Sequence, residues 1–193
     1  MPLRQTYATQ LNDPLLAANT IASFTGPNNL IRATGATPGG AYVAQPTIIP
    51  QNYLKPGTTI RTYASGTYAN ASTTPTMSWQ LTWGASTVLA VSSVVTETSG
   101  ATIQVPWWLQ LTTVVRSAIV PSAVVTITHG TLTYSTTLSA QCLVFPVPVI
   151  ALATVNVDNS AAAELWVGAT CSASAAGNTI TLHELVFEET TQI

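Results

Sequence analysis

Thr76-Met77-Ser78-Trp79-Gln80-Leu81-Thr82-Trp83 is the stretch that decides the fold of this chain. Met77, Trp79, Leu81 and Trp83 alternate with Thr76, Ser78, Gln80 and Thr82, and a period of two puts the large apolar side chains on one face of an extended strand. Further runs stand on either side, at Thr58–Ser65, Val88–Val95, Thr102–Arg116, Ala123–Tyr134, Leu143–Val149, Glu164–Thr170 and Thr179–Phe187. They are rich in Thr, Val, Ile, Trp and Tyr, which suit a pleated, half-buried surface. No stretch keeps apolar residues at helical spacing for three turns, and there is no internal repeat. The expected fold is all-β, a jelly-roll-like β-sandwich over residues 52–193.

Residues 1–51 read differently. Asp13-Pro14, Thr25-Gly26-Pro27-Asn28-Asn29, Thr37-Pro38-Gly39-Gly40 and Gln45-Pro46 interrupt any sustained period. A short helical turn after Asn12 or Asp13, running through Leu15, Leu16 and Ile21, fits an N-cap followed by proline. The segment is expected to be an extended N-terminal arm for docking. Its ordering entropy requires a surface to lie on.

The adjacent tryptophans of Gln104-Val105-Pro106-Trp107-Trp108-Leu109-Gln110-Leu111 fall in the second of these runs to follow the opening stretch. Neighbouring side chains on a strand point to opposite faces, so Trp107 goes with Leu109, Leu111, Thr113 and Val115, and Trp108 with Gln110, Thr112, Val114 and Arg116. Trp107 is the core candidate. Trp108 sits on the more polar face, open to a neighbouring subunit or a carbohydrate. Pro106 suits a strand start or edge.

Of 193 residues, five are Lys or Arg and seven are Asp or Glu, a 6% charged share beside 47% hydrophobic. No formal charge falls between Arg61 and Glu97, or between Arg116 and Asp158. A free monomer ordinarily stays dispersed with far more charge, and charge depletion marks the centres of protein interfaces. Shielding by other subunits is expected, with a Thr-rich secreted monomer as the alternative. A net charge of −2 without clustered Lys or Arg argues against a nucleic-acid partner. The apolar run Leu143–Ala153 is too short to span a membrane and carries two prolines. The start MPLRQTYATQ lacks a signal-peptide core, so synthesis in a cytoplasm is expected.

Candidate chemistry is sparse. Cys142 and Cys171 are too few for a disulfide framework or a cysteine zinc site and read as buried free thiols, with a single bridge as the alternative. His183-Glu184-Leu185-Val186-Phe187 begins like a zinc-protease signature, yet Phe187 stands where the second His belongs. On a strand, moreover, His183 and Glu184 should face opposite ways. His129, Asp158, Glu164 and abundant serines permit a triad by count alone, but there is no G-x-S-x-G elbow and no Gly-rich phosphate loop. Neither catalysis nor a cofactor or metal is expected. His129, before Gly130 and a β-bulge there, is expected to be structural, or a metal or anion ligand on a trimer axis. Asn70-Ala71-Ser72 matches the glycosylation acceptor pattern by chance. Trp108, Tyr63, Trp166 and His129 are the interface or ligand candidates.

The order of these pieces resembles a family of small jelly-roll virion proteins of tailed bacteriophages, of minor capsid, head-decoration or minor tail type. The resemblance rests on Pro75–Gly84, Trp107-Trp108-Leu109 running to Val114-Val115-Arg116, and Gly130-Thr131-Leu132. It continues through Val155–Ser160, Leu165–Thr170 and Asn178–Thr181, and ends on Glu188-Glu189. It implies a non-enzymatic, trimeric jelly roll on a virion, in contact with the major capsid protein or other virion proteins. Asp158 would hold a turn by accepting backbone N–H bonds. A decoration or cement protein attached to the capsid through residues 1–51 is the leading expectation. A tail-tip or fibre protein binding host-surface glycan is the alternative, and a β-sandwich hydrolase the third class.

Overall fold

The computed structural model describes residues 6–10, 18–23, 25–32, 42, 45–69, 75–92, 95–96, 104–135, 142–148, 153–173, 175 and 177–192. The strands in chain order are β1 (Thr6–Gln10), β2 (Asn19–Ala22), β3 (Asn28–Asn29), β4 (Thr47–Ile49) and β5 (Thr59–Ala69). β6 (Thr76–Trp83), β7 (Thr87–Val91), β8 (Val95–Thr96) and β9 (Val105–Ser117) follow. A 3-10 turn, Pro121–Ala123, precedes β10 (Val124–Tyr134), and β11 (Leu143–Val147), β12 (Thr154–Val157), β13 (Ala163–Cys171) and β14 (Thr179–Gln192) complete the described elements.

Two antiparallel sheets form a sandwich, as the alternation predicts. Sheet A runs β1-β14-β5-β9-β10-β11, with β2 also on β14 and β12 also on β10. Sheet B runs β3-β13-β6-β7, with β4 also on β13 and β8 on β6. The opening stretch is β6 to the residue, and Met77, Trp79, Leu81 and Trp83 are all buried. Leu165, Val167, Ala169 and Cys171 of β13 stand opposite Trp83, Leu81, Trp79 and Met77, making the inner face of sheet B. Trp79 reaches across the sandwich to Trp107 and Tyr134, with ring centroids 5.7 and 5.5 Å away, and Tyr134 lies 6.3 Å from Tyr68. Tilted aromatic pairs at such distances add about 0.5–1.5 kcal/mol each beyond the area they bury.

Trp107 rests over Gly66. A Cβ there would lie 2.9 Å from the Trp107 ring and 1.9 Å from the Thr181 carbonyl, so only glycine admits the ring. Trp107 Nε1 donates to the Thr67 carbonyl at 3.3 Å.

Residues 1–51, expected to form an irregular docking arm, contribute four strands to the two sheets. β1 and β2 pair with β14, and β3 and β4 with β13. Short strands of two to five residues carry too little periodic signal to be read. Ile21, expected in a helical turn, lies in β2; residues 12–17 of that turn, and Asn70-Ala71-Ser72, lie outside the described residues.

Gly130 makes no bulge. The β9–β10 register runs unbroken through it, and the shift comes at Val125/Thr126 instead. Glycine is required for a different reason, since a Cβ would sit 1.9 Å from the Gln110 carbonyl. Cys171 is buried and Cys142 exposed, and both are free thiols, so the expectation of burial holds for one of them.

Candidate functional site

On the outer face of sheet A the pairings align side chains in rows. Glu184, Ser65, Trp108, Thr133 and Val144 form one row across five strands. Val186, Tyr63, Gln110, Thr131 and Pro146 form the next, and Glu188, Arg61, Thr112 and His129 the third. Trp107 is 0% exposed and Trp108 41%, the division of faces that alternation requires. Tyr63 lies diagonal to Trp108, within reach of a long side chain. His129 is exposed on the same face, but two rows further along, about 13 Å at the rise of a strand. The structure therefore brings Tyr63 and Trp108 together and leaves His129 at the margin.

Glu184 joins the row because β14 bulges. The register with β5 shifts between Leu182 and Glu184; Leu182 and Leu185 both point inward, and His183 and Glu184 are both exposed. Sequence alternation had placed those two on opposite faces; the extra residue of the bulge corrects this. Ser65 Oγ donates to Glu184 Oε2 at 3.2 Å, and His183 Nε2 lies 3.3 Å from Thr67 Oγ1.

Trp166 lies elsewhere. It is on the outer face of sheet B and only 4% exposed, because residues 25–32 run alongside β13, with Leu30 N–H donating to the Val167 carbonyl at 3.0 Å. Its Nε1 donates to the Gly84 carbonyl at 2.8 Å, and its ring lies over Gly168, where a Cβ would be 2.5 Å from it. Beside the ring are two neighbouring cavities of about 270 and 400 Å³ that share Pro27, Ala85 and Trp166 as walls.

The wall of the smaller cavity holds a polar cluster. Arg32 pairs with Glu164 at 2.9 Å, their side chains 9% and 12% exposed, and Asn29 Nδ2 donates to Glu164 Oε1 at 2.6 Å. Tyr42 donates to Glu164 Oε2 at 2.7 Å, and its ring lies 3.9 Å beneath the Arg32 guanidinium carbon. Burial first, then the bond to Glu164, pushes the Tyr42 phenol above its ordinary pKa. Glu164 is 122 to 135 positions from the other three in the chain, so no local motif announces the cluster. The one available signal was scarcity, since a chain with so few charges rarely buries one unpaired.

Asp158 does hold a turn, its Oδ1 accepting the Ser160 N–H at 2.8 Å; bonds from the Ser160 hydroxyl and N–H keep its carboxyl below the ordinary range. Among the described residues no group of His, Cys, Asp and Glu is placed to hold a metal ion, and no helix is long and apolar enough to cross a membrane.

No protein-family model and no curated protein sequence matches the chain. Among solved structures it is similar to the CBM2 module of the evolved Dit of Lactobacillus casei BL23 phage J-1, at 13% identity over 98% of each chain with a TM-score of 0.38. So distant a likeness carries no ligand or partner across, and function has to come from the side chains.

Proposed function

We propose that this chain is a non-enzymatic structural protein of a tailed-phage virion, a head-decoration or cement subunit that packs as a trimer through the outer face of sheet A. The observation that carries the reading is the setting of Trp108. It is exposed at the middle of a five-strand row, beside uncharged Ser65, Thr133, Gln110 and Thr131; Glu184 stands at the β14 end of that row, and Arg61, Glu188 and Arg116 lie further along the same face. An aromatic centre with charge held to the rim is the anatomy of an interface. The resemblance of the β-body to virion proteins supplies the setting. The described parts of residues 1–51 are engaged in the protein's own sheets, so a free docking arm is not the basis of this reading.

Sedimentation equilibrium tests the reading. The chain should associate at micromolar concentration, and Trp108→Asp should dissociate it and abolish its incorporation into particles. A stable monomer at that concentration, with incorporation unaffected by Trp108→Asp, removes the basis for the assignment.

A further inference from the structure

We infer that the paired cavities on the outer face of sheet B form a binding site for an uncharged oligosaccharide of at least two residues. This surface is opposite the Trp108 face and independent of it. The larger cavity, about 400 Å³, falls within the roughly 300–1,000 Å³ range of small-ligand sites. No charged side chain lines it among the described residues. Asn28, Gln80 and Ser86 offer amide and hydroxyl groups, and Pro27, Val88 and the small uncovered part of Trp166 offer apolar surface. A sugar ring has the matching duality, apolar C–H faces and a girdle of hydroxyls. A lipid chain would leave the amide oxygens of Asn28 and Gln80 and the Ser86 hydroxyl without partners, which is costly, the amide nitrogens being held already by Gly26 and Thr82. A phosphate or other anion would find no unmatched cation, because the Arg32 charge in the adjoining cavity is met by Glu164 at 2.9 Å. The second cavity opens beside the first through their shared walls, Pro27, Ala85 and Trp166. A second sugar residue would lie there against the Arg32–Glu164 pair, whose carboxylate and guanidinium are acceptor and donor for hydroxyls.

The site is built before any ligand arrives. One wall is the turn at Gly26, whose φ of 75° glycine adopts without strain, pinned by Asn28 Nδ2 donating to the Gly26 carbonyl at 2.9 Å. The opposite wall is the β6–β7 turn, and Trp166 between them is fixed by its bond to the Gly84 carbonyl. Gln80 Nε2 is held toward Thr82 Oγ1 at 2.8 Å. Preformed walls lower the ordering cost of binding.

The test uses maltotriose, cellotriose and triacetylchitotriose as probes, followed by saturation-transfer NMR and calorimetric titration. At least one should bind saturably in the micromolar to millimolar range. Gln80→Ala should weaken it by roughly 2- to 12-fold, the loss of one hydrogen bond of about 0.5–1.5 kcal/mol. Ser86→Trp fills the cleft from an exposed turn and should abolish binding without disturbing the core. Trp108→Ala should leave sugar binding unchanged, whatever it does to association, so this inference and the trimer reading fail separately. Saturable binding of none of the three probes overturns the inference. So does binding that survives both cleft variants, or binding lost in Trp108→Ala but kept in Ser86→Trp.

Discussion

Truncating Trp107 to alanine should cost several times more stability than truncating Trp108, although the two are adjacent. Trp107 is 0% exposed, and core Trp→Ala changes cost about 3–5 kcal/mol. Two local features set the value near the upper end. The Trp79 ring, 5.7 Å away, loses an aromatic partner worth about 0.5–1.5 kcal/mol. Gly66 beneath the ring has no side chain that can swing into the void, so the cavity cannot collapse from that side. A loss of about 5 kcal/mol is a third to all of the 5–15 kcal/mol typical of a domain, and lowers Tm by about 10–20 °C at this size. Measured on the dissociated monomer, below the concentration of association, Trp108 on the outer face should lose about 1 kcal/mol or less, about 2–4 °C. Urea unfolding followed by circular dichroism, with calorimetry for Tm, measures both; where Trp107→Ala does not fold, Trp107→Phe serves with a smaller loss. Equal losses, or a larger one for Trp108, would show that β9 is paired one residue out of the register described, and the assignment of faces would fall with it.

Three further outcomes are expected. Glu164→Ala removes the partner of a largely buried Arg32 and should destabilise by about 3–5 kcal/mol, whereas Arg32→Met with Glu164→Leu should cost much less; a urea double-mutant cycle decides. Burial, with the hydrogen bond to Glu189, pushes the Tyr53 phenol up to about 12, so the native state holds a proton that the unfolded chain releases near pH 10. That contribution is complete below about pH 10 and lost as the pH rises through about 12; Tyr53→Phe should flatten this alkaline fall in Tm, and an unchanged slope would count against the cause. Burial also raises the Cys171 thiol, while Cys142 is exposed, so a thiol reagent at neutral pH should label Cys142 quickly and Cys171 only on unfolding. Rapid labelling of both in the native protein would contradict the burial of Cys171.

Period-two alternation made β6 and β9 legible residue by residue, and with them the inward Trp79 and Trp107 and the outward Trp108. Alternation assigns a face but not what lies over it. Trp166, an interface or ligand candidate, lies on an outer face, where residues 25–32 bury it. Alternation failed at His183-Glu184, because one bulged residue shifts the phase and no local sequence marks it. The strands within residues 1–51 were invisible for a related reason. They are ordered by hydrogen bonds to β13 and β14, more than a hundred positions away, and not by any preference of their own.

The sequence by itself determined the class of fold, the paucity of charge and which of two neighbouring tryptophans faces the core, since composition and period act through local backbone geometry. Only the tertiary structure decided which side chains share a row, that Arg32, Asn29, Tyr42 and Glu164 meet, and that a cleft opens beside Trp166. Those juxtapositions depend on strand register and on the crossing of the chain between two sheets. Both are fixed by the collective burial of distant residues, a free energy that no short window of sequence contains.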